Sequence, residues 1–127
     1  MSFRTDRVRL VVLIKKKPSL SKKEFHQHWA KTHGALFSSL EVVKKNILRY
    51  EQAHTNETVL SALAQQAVFP VSDWDGMGIF EAESYAKIFE VFQSDEYKKN
   101  VIQDEECYLD RDATQMLPLD LLSIIDQ

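Results

Sequence analysis

Four histidines and one tyrosine carry most of the chemistry open to this 127-residue chain. His26, His28 and His33 fall within Phe25-His-Gln-His-Trp29-Ala-Lys-Thr-His33-Gly. The fourth, His54, ends Tyr50-Glu-Gln52-Ala-His54. Histidine titrates near neutral pH and is the usual general acid or base. A tyrosine hydroxyl can hold a phenolate or ketone oxygen. The candidate catalytic residues are therefore His54, His33, His28 and Tyr50. Gln52, Trp29, Asp75, Phe89 and Phe92 are the candidates for contact with a substrate.

Each has a plainer reading. His28 suits a half-buried histidine on a backbone carbonyl, Tyr50 a sheet tyrosine with a wet hydroxyl, and Gln52 a partner of His54. Asp75 suits a cap at a strand start. Trp29, Phe89 and Phe92 suit core positions, although core and cavity wall coincide where a pocket takes an aromatic ligand.

The histidine spacing argues against a metal. His26 and His28 are two apart on a helix and point about 200° away from each other. His26 and His33 are two turns apart, roughly 10 Å, too far for one ion. No G-x-G-x-x-G, P-loop or G-x-S-x-G run is present, so nucleotide, flavin and serine-hydrolase readings fall away. Acid–base chemistry without a cofactor in an apolar pocket remains.

The elements that must position these groups are legible. Arg7 to Lys17 reads as a strand whose centre, Leu10 to Ile14, is apolar at every position, which implies burial on both faces. Ser21 and Glu24 form a capping box with a Leu20–Phe25 staple, opening a helix over 21–45. Its inward stripe is Phe25, Trp29, Thr32, Leu36 and Leu40, with Gly34 resetting it. Ile47 to His54 is a second strand, with Leu48, Tyr50, Gln52 and His54 on one face. A row of Tyr, Gln and His suits a wet pocket better than a dry core.

Asn56 caps a helix from Glu57 to Val68, with Val59, Leu60, Leu63 and Ala64 inward. Asp73 to Glu83 is a third strand, its glycines marking a bulge or a close approach. Ser84 caps a helix with Tyr85, Ile88, Phe89 and Phe92 inward, and Ser94 caps another from Asp95 to Gln103. The acidic run 104–110 covers the sheet edge. Met116 to Ile125 is the last strand, with Pro118 at an edge or bulge. The order is the split βαβ, ferredoxin-like α+β pattern βαββαβ. Its open apolar face calls for a second copy, a homodimer with sheets packed face to face.

Length sets one domain, 1–127. A net charge of -3 gives no reason to expect nucleic acid or an anionic membrane as partner. One cysteine, Cys107, excludes an internal disulfide and fits a reducing compartment. No apolar run approaches the ~20 residues that span a bilayer, and no secretory signal is legible, so a cytoplasmic protein is expected.

The run Phe25-His-Gln-His28-Trp29-Ala-Lys-Thr-His33-Gly resembles the F-x-x-H-W-x-x-x-H signature of the EthD-domain family. Trp74-Asp-Gly, the helix broken at Ser94-Asp-Glu-Tyr97 and Gln103-Asp-Glu-Glu-Cys-Tyr-Leu-Asp110 agree with it. Ala35 stands where the family usually has proline. The resemblance covers nearly the whole chain and implies a dimeric α+β barrel.

The Tyr50-x-Gln52-x-His54 row looks like the fungal polyketide branch of that family. It implies a cofactor-free lyase of aromatic polyketide biosynthesis, decarboxylating an anthrone-type acid, such as atrochrysone carboxylic acid, or a β-keto acid. A polyketide cyclase or dehydratase, an anthrone oxygenase, and a non-catalytic binder of hydrophobic small molecules are the alternatives. In each, the pocket is expected between helices and sheet, with His54 and His33 facing across it, 57–68 as its lid and His26 at the solvent edge.

Overall fold

Strand β1 (Val8–Ile14) lies inside the sheet, as its unbroken apolar run from Leu10 to Ile14 requires. Strand β3 (Gly76–Ala82) lies antiparallel on one side of it and β4 (Gln115–Leu119) on the other. Strand β2 (Ile47–His54) joins the outer side of β3, giving the order β2-β3-β1-β4. The computed structural model describes residues 2–66 and 68–127. With helices interleaved between the strands, this is the expected ferredoxin-like α+β fold. The last strand stops at Leu119, short of Ile125, and Pro118 sits on the edge, where its missing N–H costs no ladder bond.

The first helical stretch begins with the capping box. The Glu24 N–H donates to Ser21 Oγ and the Ser21 N–H to Glu24 Oε1. Helix α1 (Lys22–Gln27) runs into a π-helical segment, His28–His33, and then into α2 (Gly34–Ser39). Leu40 is extended and ends the run, so the expected single helix over 21–45 is broken there. Helix α3 (Glu41–Asn46) restarts at once, its first two N–H groups donating to the Glu96 carboxylate.

The π segment changes which residues face inward. Phe25, Trp29, His33, Phe37 and Leu40 are buried, whereas Thr32 is exposed and Leu36 only half-buried. In an α-helix a step of four residues overshoots one turn by about 40°. The wider turn cancels that drift and keeps residues four apart in line. Thr32 and Leu36 therefore do not form the inward stripe; His33 and Phe37 do.

Two departures in β2 and β3 shape the sheet beneath this helix. Ile47 pairs with Ala82 and Arg49 with Glu81, leaving Leu48 as a bulge. Ile47 thus joins Tyr50 and Gln52 on the helix-covered side, and Leu48 is exposed instead of sharing their face. Gly76 lies under Trp29: a Cβ there would stand 2.6 Å from the Ala53 carbonyl and 2.7 Å from the indole. The expected close approach is real, and the strand begins only at Gly76, not at Asp73.

Helix α4 (Glu57–Leu63) is capped by Asn56 as expected but is shorter. Val59, Leu63 and Ala64 are exposed, not inward, and Ala67 of the expected span lies outside the described residues. Helices α5 (Tyr85–Gln93), α6 (Asp95–Asn100) and α7 (Ile102–Tyr108) follow. The run 104–110 was expected to cover the sheet edge. Most of it is instead the body of α7, which packs on the π segment.

The helices bury one face of the sheet in two apolar clusters. Leu10, Phe37, Phe80, Ile88 and Val91 belong to one; Ile14, Phe25, Trp29 and Tyr108 belong to the other. Val12 touches both. The opposite face carries Val11 paired with Ile79 and Leu117, bounded by buried Glu81, on which Arg7 and Arg9 converge.

Candidate active site

Between the two clusters lies a cavity of about 170 Å³. Its floor is Val12, Gly78 and Phe80 on the sheet; its walls are Trp29, His33 and Phe37 from the first helical stretch and Tyr108 from α7. Tyr50, Tyr97, Glu105, Arg111 and Thr114 supply the remaining polar groups, beside apolar Phe92 and Met116.

His33 is buried, with Nδ1 3.4 Å from Asp104 Oδ2. Neither atom has another partner. The second carboxylate oxygen, Oδ1, accepts from His28 Nε2–H at 2.7 Å. A carboxylate at Nδ1 selects the tautomer with its proton there, which leaves the Nε2 lone pair of His33 on the cavity side. Burial pushes the His33 imidazole down to about 4; the Asp104 carboxylate opposes this and His28 adds to it. At neutral pH it is an uncharged base.

A second line of bonds runs along β2. Gln52 Nε2 donates to the Tyr50 hydroxyl oxygen and to the Trp29 carbonyl, both at 2.8 Å. His54 Nε2 donates to Gln52 Oε1, also at 2.8 Å. His54 Nδ1 then accepts from His26 Nδ1–H at 2.7 Å. Burial raises the Tyr50 hydroxyl to about 12, against the donors on its oxygen, so it stays protonated.

On the far wall the Tyr97 hydroxyl donates to Glu105 Oε2, and Arg111 Nη1 stands 3.1 Å from Glu105 Oε1. Burial nevertheless raises the Glu105 carboxyl, with Tyr97 and Arg111 pulling the other way. One group pushed down and one pushed up in a single cavity is the arrangement that lets one fold hold a base and an acid together.

The EthD domain model matches residues 17–112, three quarters of the chain and all of the π segment and α7. The chain belongs to the EthD family. Solved structures of the same fold are similar to it at low identity. An EthD family protein from Bacillus halodurans has 14% identity and a TM-score of 0.58, covering 93% of this chain and 99% of that one. The hydroxynitrile lyase from Passiflora edulis has 14% identity and a TM-score of 0.62, covering 97% and 100%. A dimeric ferredoxin-like protein of unknown function from Bacteroides fragilis has 12% identity and a TM-score of 0.59, covering 94% and 98%. None of the curated proteins compared with the sequence matches it.

Several expected site residues lie elsewhere in this EthD chain. His54 does not face His33. It is exposed, its ring centroid is 4.3 Å from that of Trp29, and it borders a separate surface groove with Leu60 and Trp74. The residues 57–66 therefore do not form a lid on the cavity, whose lining includes none of them. His28 stacks on Tyr108 from outside and reaches the cavity only through Asp104. His26 is half-buried on the outer side of its helix, where its Nδ1 meets Nδ1 of exposed His54 at 2.7 Å.

Asp75 is buried away from the cavity, where its Oδ2 accepts the Lys16 N–H at 2.8 Å. It shapes the strand end and contacts no histidine by hydrogen bond. Phe89 is 42% exposed and leaves the cavity to Phe92. Trp29, Phe92, Tyr50 and His33 do line it.

Asp104, Glu105, Tyr108, Tyr97 and Arg111 are site residues that the sequence reading passed over. The signal for the first three was present. Asp104 and Tyr108 are four apart, and Glu105 and Tyr108 are three apart, so a helix puts Tyr108 over both. Reading the run as an edge cover hid that spacing. Among the described residues, no group of three or more His, Cys, Asp or Glu side chains is arranged to hold a metal ion. No helix among them is long and apolar enough to cross a membrane.

Proposed function

We propose that this EthD protein is a cofactor-independent lyase acting on a carbonyl compound of about one-ring size. The observation that carries this is His33: an uncharged imidazole, buried on the cavity wall and backed by Asp104. The Tyr50 hydroxyl holds the oxygen on which charge develops, as a donor aimed at a forming enolate does. Lyase chemistry is compatible with the fold, since the Passiflora edulis neighbour is a hydroxynitrile lyase.

Loss of CO₂ from a β-keto or o-hydroxyaryl carboxylic acid is the finer reading. His33 takes the carboxylic proton. In a β-keto acid the carbon–carboxylate bond then breaks, its electron pair passes to the carbonyl oxygen at Tyr50, and CO₂ leaves; an o-hydroxyaryl acid first moves its phenol proton to the ring carbon, which creates the ketone that takes the pair. The imidazolium returns the proton to carbon, so nothing else is consumed. Dehydration and aldol cyclisation use the same base and the same oxyanion donor.

Size narrows the substrate. The cavity of about 170 Å³ is close to the ~150 Å³ that takes benzene. A single-ring or open-chain acid fits inside it. A three-ring anthrone acid, the expectation from the family resemblance, is too large for the cavity to enclose. Pure protein incubated with benzoylacetic acid and with 2,4-dihydroxybenzoic acid, followed by mass spectrometry, is expected to lose CO₂ from at least one faster than His33→Ala does. Equal rates for both proteins on both acids would remove the lyase reading and leave a binder of small apolar molecules.

The open sheet face supports a homodimer. Half-buried Ile79 and exposed Leu117 flank buried Val11 there, beside the Arg7–Arg9–Glu81 group. Neighbours of the same fold are described as dimeric. Light scattering at micromolar concentration is expected to give twice the chain mass of 14.7 kDa; a stable monomer would rule the dimer out.

A further inference from the structure

We propose that Gln52 is a positioning residue, one that turns the Tyr50 hydroxyl proton into the cavity and so requires a ligand that presents an acceptor oxygen there. This rests on reading the cavity as the ligand site.

The amide of Gln52 has one orientation only. Its Nε2 stands 2.8 Å from the Trp29 carbonyl oxygen. With the amide reversed, Oε1 would take that place and two acceptors would meet with no proton between them. The Trp29 carbonyl is available because it lies in the π segment, where it also accepts the Gly34 N–H five residues on. Gly34 borders the amide without being required there, since a Cβ would stand at ordinary contact, 3.4 Å, from Gln52 Nε2. π turns recur at functional sites for this kind of local adjustment.

One amide hydrogen is thus spent on Trp29, and the other points at the Tyr50 oxygen. His54 Nε2–H closes the third side by donating to Oε1. Tyr50 Oη is therefore an acceptor toward Gln52, and its own proton cannot point there. The ring is held between Phe37 and Phe80, at centroid distances of 4.9 and 5.1 Å, which offer no acceptor. No described residue accepts a hydrogen bond from the Tyr50 hydroxyl, and the open direction is the cavity it lines. The ligand atom that belongs there is a carbonyl or phenolate oxygen.

Gln52→Glu tests this at unchanged side-chain size: the carboxylate has no proton for the Trp29 carbonyl, so it moves off that oxygen and toward the Tyr50 hydroxyl. A carboxylate in that place accepts the hydroxyl proton, so Tyr50 turns its donor away from the cavity. The probes are 4′-fluoroacetophenone, which carries the acceptor oxygen, and 4-fluorotoluene, which does not, each titrated by ¹⁹F NMR. The ketone is expected to bind Tyr50→Phe and, at pH 7.5, Gln52→Glu about three- to tenfold more weakly than wild type, the worth of one neutral hydrogen bond. The toluene should bind all three alike. Lowering the pH until the introduced carboxylate is protonated should restore the ketone in Gln52→Glu and leave Tyr50→Phe unchanged.

Wild-type affinity for the ketone in Gln52→Glu at pH 7.5 would overturn the proposal. So would a loss shared by the toluene, or one that acid does not reverse, because either marks a packing defect. Should Gln52→Glu fail to fold, equal ketone binding by wild type and Tyr50→Phe is the overturning result. If wild type holds neither probe, the cavity is not the ligand site, and the functional reading falls with the proposal.

Discussion

His33→Ala is expected to lower turnover on an accepted acid by about 10²–10⁴, the usual worth of a general acid or base. The imidazole has no substitute in the cavity. Burial pushes the Glu105 carboxyl toward its protonated form, and its two oxygens are already engaged by the Tyr97 hydroxyl and by Arg111. Asp104→Asn should act in the same direction, since an amide no longer selects the Nδ1–H tautomer.

The pH dependence separates this from a packing effect. A base held at about 4 stays active down through pH 5, and the rate falls only as pH drops through about 4. Stability moves over a different range. The folded value is depressed below the ordinary 6.5, so the unfolded chain binds the extra proton between them. That contribution is complete above pH 6.5 and is lost as pH falls toward 4. A denaturation series over this range, repeated on His33→Ala, should show the slope disappear in the variant. A rate that already halves at pH 6.5, with an unchanged stability slope in His33→Ala, would contradict the assignment.

Trp29→Ala should cost about 3–5 kcal/mol of stability, the range for removing a fully buried large aromatic. The indole is 1% exposed and packs on Phe25, with ring centroids 5.7 Å apart. Gly76 is the reason no neighbour fills the gap: the indole lies where a Cβ of that residue would point, and the backbone beneath is held in the β2–β3 ladder. Loss of the ring therefore leaves a hole between the clusters instead of a collapse. Trp29→Phe should cost much less. Urea titration of the three proteins decides the matter, and a Trp29→Ala midpoint close to wild type would show that the clusters do repack. Activity should fall as well, because His33 is carried one turn further along the same π segment.

Local chemistry was readable along the chain. Ser21 and Glu24 are three apart, and the box they form needs nothing beyond that spacing. The alternation of Tyr50, Gln52 and His54 put all three on one face, and Leu10 to Ile14 announced a strand buried on both sides. Those patterns suffice for a βαββαβ order because each depends on residues within a few positions.

The site depended on contacts between distant residues. Asp104 is 71 positions from His33, and nothing in either neighbourhood says that a carboxylate will back that imidazole. Whether His33 faced inward was decided by the π segment, since a regular α-helix would have buried Thr32 and Leu36 instead. His54 shares a face with Tyr50, but Trp29 lies between it and the cavity, and only the packing of the indole on Gly76 shows that. Spacing gives the direction of a side chain from its own backbone. What stands in that direction, and so whether a histidine is a base, a prop or a surface group, is set by elements that meet only when the chain folds.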